Sequence, residues 1–273
     1  MRRWLIGTFF LTLAATTYED SIRAWQQHRD AGLRAADGWL ALVGLFWLKP
    51  GANTIGSASS NDFVLPKDAP PHAGTFYLQG DKITFGQKTL SYDDLHPDVI
   101  QIGSISLLAI RRAGRFAIRA RDAASPVRKN FRGMRYFPIN PAFHFQAKLI
   151  PNVQKIPILN IVGQTEMEES PGGVEFIFNG RPYRLRPIYE ETSQGRTLYF
   201  LFKDTTNKSQ TYQAGRMLNT PLAVNGIVDL DFNRSYTPPC AFTPYATCPL
   251  PPQENRLPIA IEAGELRYEE PNS

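Results

Sequence analysis

The chain has 273 residues, enough for one or two domains with a full hydrophobic core. Hydrophobic residues make up 42% of it and charged residues 20%, which excludes an intrinsically disordered chain and a membrane protein with several spans. The net charge of +5 is small and no long basic run occurs, so we predict no nucleic-acid partner.

Residues 1–17 have the pattern of a secretory signal peptide. Arg2 and Arg3 precede an apolar stretch of about a dozen residues, shorter than the roughly 20 that a membrane-spanning helix needs. We predict export to the periplasm or the extracellular space. The alternative is that the segment stays in place as an N-terminal membrane anchor, and membrane association is expected through this segment only.

Residues 18–50 are predicted to form a helix followed by an apolar strand. Glu19 and Asp20 suit the N-terminal end of a helix dipole, and Gly38 is typical of a helix end. The apolar run WLALVGLFWL after Gly38 has the length of a buried strand or a short helix. Residues 51–125 then contain short β-type runs between turn clusters, which predict a β-sandwich.

A basic linker at residues 126–141 precedes a second strand-rich module at residues 142–273. Asn179 and Gly180 give the strongest hairpin signal of the sequence. Strands of this module are predicted at residues 173–178, 183–189, 196–203, 226–232 and 259–263. Residues 235–260, here called the strap, contain seven prolines, which cannot donate to a sheet ladder. We therefore predict that the strap is an ordered loop wrapped around the module.

The predicted fold is mostly β, with two packed β-modules and an N-terminal helix. The first module is a β-sandwich, and the second is another sandwich or a partly closed barrel. The many prolines, glycines and aromatic residues of the chain agree with strands joined by turns.

Cys240 and Cys248 are the two cysteines of the sequence. In an exported protein they predict one local disulfide, which would stabilise the strap by roughly 2–3 kcal/mol on a chain-entropy model. No histidine lies in the same segment, and no two histidines of the chain have the spacing of metal ligands. We predict no metal site and no cofactor.

The densest group of polar residues flanks the strap. A pocket for a polar ligand could use two arginines as charge-assisted donors, an aspartate and an asparagine as acceptors, and a tyrosine as a stacking face. The alternative is that these groups satisfy the backbone of a long loop that has no ladder of its own. The candidate ligand-binding residues are Arg216, Asp231, Asn233, Tyr236, Asn255 and Arg256.

Several stretches of the chain resemble the DUF1684 family, which has no established activity. They are residues 37–48, 51–56, 212–216 and 228–234, and the most specific is the run within the strap from Tyr236 to Pro258. The resemblance continues through Ala263, Gly264 and Glu265. It implies that nearly all of the chain after the leader belongs to one family, and it assigns no function.

A second resemblance lies in the first module. Residues 54–56, 61–66 and 72–73 are similar to the start of a forkhead-associated domain, a β-sandwich that reads phosphothreonine through an arginine and a serine on its loops. Here Ser57 stands in the place of the arginine, and Ala69 or Pro70 in that of the serine. The resemblance implies the sandwich fold without the residues that read the phosphate.

We predict an exported binding module for a small polar ligand or a protein partner. One alternative is a hydrolase, in which Asp231 or Glu254 is the base and Arg256 donates to the oxyanion. The other alternative is a structural protein of the cell envelope with no small-molecule site.

Overall fold

The computed structural model describes residues 17–269, and strands predominate among them, which confirms the mostly-β prediction. The predicted leader lies outside the described residues, apart from Thr17. Two groups of strands form separate hydrophobic cores, one in the first module (β1–β9) and one in the second (β10–β16). Within residues 17–269, no helix combines the length and the apolar character needed to cross a bilayer.

Helix α1 spans Tyr18–Arg34 and is capped by its neighbours in sequence. The backbone N–H of Asp20 donates to the Thr17 hydroxyl at 3.1 Å, and the Thr17 N–H donates back to the Asp20 carboxylate at 3.3 Å. Such a capping box satisfies two of the free donors at a helix start. The buried face of the helix includes Ile22 and Leu33.

The first module contains two facing sheets. Their orders are β1-β9-β8-β7 and β3-β2-β4-β5-β6, and the pairs are antiparallel except β2 with β3. The predicted apolar run becomes a short 3-10 turn at Trp39–Ala41 and then strand β1, which pairs with β9. The strands are β1 (Leu42–Trp47), β2 (Gly51–Gly56), β3 (Phe63–Val64), β4 (Gly74–Gln79), β5 (Lys82–Phe85), β6 (Lys88–Leu90), β7 (Val99–Ile102), β8 (Ile105–Arg112) and β9 (Arg115–Asp122).

The predicted linker contains a short helix, α2 (Pro126–Asn130), and leads into the second module. This module also has two sheets, in the orders β12-β11-β10-β16 and β13-β14-β15. Its strands are β10 (His144–Leu159), β11 (Thr165–Phe178), β12 (Arg181–Leu185), β13 (Ile188–Thr192), β14 (Gly195–Phe202), β15 (Arg216–Thr220) and β16 (Ile227–Asp231). Asn179 and Gly180 have φ angles of 50° and 73°, so the predicted hairpin turn joins β11 to β12.

Two strand predictions in this module are wrong. The strand predicted at residues 183–189 is divided into β12 and β13, because Pro187 follows Arg186 and cannot donate to a ladder. Residues 259–263 form no strand. Their carbonyl groups point instead at other partners: Ile259 accepts from the Thr205 N–H, and Ile261 accepts from a buried arginine described below.

The strap lies against the second module and is held by scattered backbone bonds. The Leu250 N–H donates to Leu159 at 2.8 Å, and the Ile161 N–H donates to Cys248 at 2.9 Å. The tip of the β10–β11 hairpin is therefore tied to the strap. Further along, Met217 and Tyr236 exchange two backbone bonds between β15 and the start of the strap. These bonds give the strap the fixed course that its prolines predict.

Candidate functional site

Arg216, a predicted ligand-binding residue, is fully buried and bonded to the chain itself. Its guanidinium donates at 2.7 Å both to the Asp204 carboxylate and to the Ile261 carbonyl. It also donates to the Ala263 carbonyl and, at 3.2 Å, to the Ser235 hydroxyl. Charge-assisted bonds of this kind join β15 to the segment that follows the strap, because one planar group satisfies carbonyls that lack a ladder.

The structure brings Asp231 and Asn233 together, as their spacing predicts. The Asp231 carboxylate accepts from both the backbone and the side-chain N–H groups of Asn233 at 3.0 Å. It also accepts from the Tyr18 hydroxyl at 3.0 Å, while Asn233 exchanges bonds of 2.9 Å with the backbone of Asn140. The pair therefore joins helix α1, the linker and β16, and its polar atoms are occupied by the chain.

Asn255 is fully buried at another place, beside the turn between β12 and β13. Its side chain accepts from the Arg186 N–H at 2.7 Å and donates to the carbonyls of Arg186 and Leu201 at 2.9 and 2.8 Å. Arg256 is exposed, and Glu254 forms an ion pair with Arg186 at 3.1 Å. The structure thus separates these residues from Asp231, the other predicted base.

Cys240 and Cys248 are adjacent free thiols in the structure. The backbone N–H of Cys240 donates to the Cys248 sulfur at 3.1 Å. A hydrogen bond from the Cys248 thiol lowers the pKa of Cys240, and the same bond together with burial raises the pKa of Cys248. The disulfide stays a prediction, for which the structure supplies two neighbouring sulfurs at the centre of the strap.

A cleft of about 620 Å³ separates the first module from the second. Trp39, Arg119 of β9, Arg112 of β8 and the loop at residues 93–95 form one wall, and the second module with the strap forms the other. At one end the Ala113 N–H, in the turn between β8 and β9, donates to the Glu166 carboxylate of β11 at 2.6 Å. The volume is typical of sites that hold small organic ligands.

Arg119 is a buried cation without a partner at this cleft. It is 5% exposed, and its guanidinium forms no hydrogen bond or ion pair within residues 17–269. The guanidinium carbon lies 5.0 Å from the centre of the Trp39 ring, and the Nε atom is completely buried. Burial, and then the nearby charges of Arg112 and Arg121, lower the pKa of Arg119 to about 10. A desolvated charge of this kind is costly until an anion reaches it.

Acidic side chains project from the opposite wall. Glu166 and Glu168 are two residues apart on β11 and so share one face of the strand, and Glu190 lies on β13. Burial raises the pKa of Glu168 and of Glu190, and the charge of Glu166 raises that of Glu168 further. In the part of the chain that the structure describes, none of the three forms an ion pair within 4.0 Å of a basic group. Among the described residues, no cluster of acidic, histidine or cysteine side chains could hold a metal ion.

Glu190 and Trp39 also line a smaller cavity of about 310 Å³, next to helix α1. Tyr236, the remaining predicted site residue, lies there. Its hydroxyl donates to Asn219 at 2.6 Å, and the Arg29 guanidinium stands 4.8 Å from the centre of its ring. Asn219 in turn donates to the Glu190 carboxylate. Tyr236 is therefore connected through Asn219 to Glu190, which lines the cleft.

The family model of DUF1684, described as a protein of unknown function, matches residues 129–266, about half of the chain. The chain belongs to this family. The matched part contains all strands of the second module and the whole strap, and with them the acidic wall of the cleft. Arg119 lies in the first module and Trp39 in the 3-10 turn that leads into it, and both precede the matched residues. The cleft is thus built from the DUF1684 segment and from a sandwich that precedes it.

One solved structure similar to this chain is the solution NMR structure of the uncharacterized protein from gene locus rrnAC0354 of Haloarcula marismortui. It is 29% identical, with a TM-score of 0.42, over 51% of this chain and 78% of that one. No curated protein sequence matches the chain. The resemblance of the first module to a forkhead-associated domain stays a prediction.

Sequence reasoning missed Arg119, although one signal for it exists. On β9 the arginines at 115, 119 and 121 alternate with apolar residues, a pattern typical of a strand with one face in water. The neighbouring strand β8 begins ISLLAI, and its residues 107–110 are buried on both faces. Because β8 is buried on both faces, its neighbour β9 is expected to be covered on both faces as well. Arg119 on β9 is then expected to lie away from bulk water.

Proposed function

We propose that the cleft between the two modules binds a small organic anion and that Arg119 is the residue that holds it. The observation behind the proposal is the guanidinium of Arg119, buried and without a partner at the wall of an open cavity. Carboxylate and phosphate oxygens match the paired donors of a guanidinium, and such bonds are among the strongest available to a protein.

The surroundings of Arg119 favour a ligand with an apolar or aromatic body. Trp39 lies beside the guanidinium, and Ile158, Ile188 and Tyr199 line the same cleft. An aromatic carboxylate could place its oxygens on Arg119 and its ring among these side chains. This agrees with the small-ligand alternative of the binding-module prediction and places the site away from Arg216 and Asn255.

Isothermal titration calorimetry with 3-phenylpropanoate tests the proposal. The wild-type protein is expected to bind this probe, and the variant Arg119→Gln is expected to lose at least tenfold in affinity, the cost of about 1.4 kcal/mol or more in binding free energy. Arg121→Gln is the matched control, since Arg121 lies on the same strand but outside the cleft. Equal affinity in wild type and Arg119→Gln would refute the role of Arg119.

Hydrolysis is a second candidate function, because a carboxyl group of raised pKa faces the same open cleft. Glu190 is half-buried, and burial raises its pKa, which is the direction of change that strengthens a carboxylate as a general base. Glu190 would take a proton from water as the water attacks an ester carbonyl, and would return that proton to the departing oxygen as the carbon–oxygen bond breaks and the alcohol leaves. The p-nitrophenyl ester of 4-carboxybutanoate is a suitable probe: Glu190→Gln should abolish its turnover, and no turnover by the wild type would remove this candidate.

We also propose that the protein acts outside the cytoplasm. The pattern of residues 1–17 and the neighbouring thiols of Cys240 and Cys248 support this. Mass spectrometry of unreduced protein from the periplasm or the culture medium is the test. A mature chain that lacks the leader and is two hydrogens lighter than the dithiol is expected, whereas a full-length chain with two free thiols found in the cytoplasm would contradict export.

A further inference from the structure

The two walls of the cleft carry groups of opposite charge that have no ion-pair partner among the residues described. On the first-module wall, Arg112 is paired with Asp94 by two bonds of 2.8 and 3.0 Å, and the exposed carboxylate of Asp93 lies 3.8 Å from His96. Arg119 is the buried cation of this wall, and it is unpaired within residues 17–269. On the second-module wall, Glu166 and Glu168 face the cavity without an ion pair among the residues described. Glu190 adds a third carboxylate from the neighbouring sheet.

This arrangement is less favourable for a simple anion than for a ligand that also carries a positive charge. A simple anion gains the contact with Arg119 but enters a cavity whose other wall carries carboxylates, and like charges at close range repel one another. A simple cation would gain the carboxylates and leave Arg119 buried without a partner. A ligand with an anionic end and a cationic end satisfies both walls at once.

We propose that the ligand of the cleft is a zwitterion, whose anionic end contacts Arg119 and whose ammonium end lies against Glu168, with Glu166 and Glu190 beside it. This inference rests on the proposed anion-binding function and names the chemical class of its ligand. Opposite charges on opposite walls also require that the two charged groups of the ligand be separated by a short apolar body.

The three carboxylates have different tasks in this arrangement. Glu166 already accepts from the Ala113 N–H and so is fixed in position at the end of the cleft. Glu190 accepts from Asn219, which orients its carboxylate. Within residues 17–269 the Glu168 carboxylate accepts no hydrogen bond, so it is the one of the three that is free to contact a cation. An ammonium group has three donors and can bond to more than one of these oxygens.

An organic ammonium suits this wall better than a metal ion does. A bound divalent cation requires several ligand atoms converging within about 2–2.6 Å of one point. Among the described residues no cluster of acidic, histidine or cysteine side chains meets this requirement, so the carboxylates are spread along the wall. Hydrogen bonds to an ammonium tolerate such spacing, because each donor can reach a separate carboxylate.

Two ligands of nearly equal size test whether the charge of the ammonium group, and not its volume, increases the affinity. The zwitterion 3-[4-(aminomethyl)phenyl]propanoate and the anion 3-(4-ethylphenyl)propanoate differ only by an ammonium in place of a methyl group. By calorimetry we expect the zwitterion to bind the wild-type protein at least tenfold more tightly. Homologues with one or two further methylene groups before the amine measure the distance between the two walls.

Glu168→Gln is expected to abolish this preference while it leaves binding of the ethyl compound intact or stronger. Glu169→Gln is the matched control, because Glu169 is the next residue on β11 and lies outside the cleft. The melting temperatures of both variants show whether they are folded.

The outcomes separate the two proposals. If the ethyl compound binds through Arg119 and no member of the amine series binds more tightly, the zwitterion is refuted and the anion site stands. If the amine preference persists in Glu168→Gln, the assignment of Glu168 is refuted. If neither class of compound binds the wild-type protein, the proposed function fails together with this inference.

Discussion

Replacing Arg119 by methionine is expected to make the unliganded protein more stable. The guanidinium is buried without a partner, and burial lowers its pKa to about 10. At about 1.4 kcal/mol per pKa unit, this lowering corresponds to roughly 3 kcal/mol of unfavourable free energy for the charged group at neutral pH. The cation–π contact with Trp39 returns about 1–2 kcal/mol of it.

Methionine fills similar space, carries no charge and can pack its sulfur against the Trp39 ring. The net gain in the free energy of unfolding is therefore expected to be about 1–2 kcal/mol. For a chain of this size, that corresponds to a rise of roughly 2–8 °C in melting temperature. Saturating 3-phenylpropanoate should reverse the order, because only the wild-type protein gains stability from binding.

Thermal unfolding followed by circular dichroism measures this difference. Arg121→Met is the control, since Arg121 lies two residues along the same strand, outside the cleft and less completely buried. Its melting temperature should change less than that of Arg119→Met. If Arg119→Met instead melts several degrees below the wild type, the guanidinium has a favourable partner in the free protein and the reasoning is refuted.

Three further predictions follow from the contacts of single residues. Arg216→Ala should lower the free energy of unfolding, measured by urea denaturation, by about 3–5 kcal/mol, because it leaves Asp204 as a buried unpaired charge. A loss below about 1 kcal/mol would contradict this. Burial raises the pKa of Glu190, because the protonated carboxyl is favoured in the folded protein. The charged carboxylate therefore destabilises the fold increasingly as the pH rises from about 4. Glu190→Gln should be more stable than the wild type at about pH 7 but not at about pH 4. Equal stability differences at both pH values would refute it. Thr17→Ala should cost about 0.5–2 kcal/mol in thermal unfolding through loss of the helix cap, and no change would show that the cap is not formed.

Much of the fold could be predicted because it depends on local patterns. The Asn179–Gly180 turn requires positive φ angles that these residues adopt readily, and the helix start at Thr17–Asp20 satisfies its own donors. The failures also have local causes. Pro187 divides one predicted strand, and the carbonyl of Ile261 bonds to Arg216 instead of to a neighbouring strand.

The site could not be predicted in the same way, because it depends on which surfaces meet. Arg216 and Asn255 have the composition of ligand-binding groups, yet their donors satisfy carbonyls of a strap that has no ladder. Sequence spacing does not distinguish a polar group that faces a ligand from one that faces backbone. Arg119 lies on the polar side of an alternating strand, and only the packing of the second module removes that side from water.

The most direct measurement of the central claim is the Nε–H resonance of Arg119 in a ¹H–¹⁵N spectrum, identified by its absence from the Arg119→Lys variant. Addition of 3-phenylpropanoate should move this resonance downfield as the guanidinium gains a carboxylate partner, and the change should saturate with the affinity measured by calorimetry. An Arg119 resonance that stays in place while the ligand binds would show that the anion is held elsewhere.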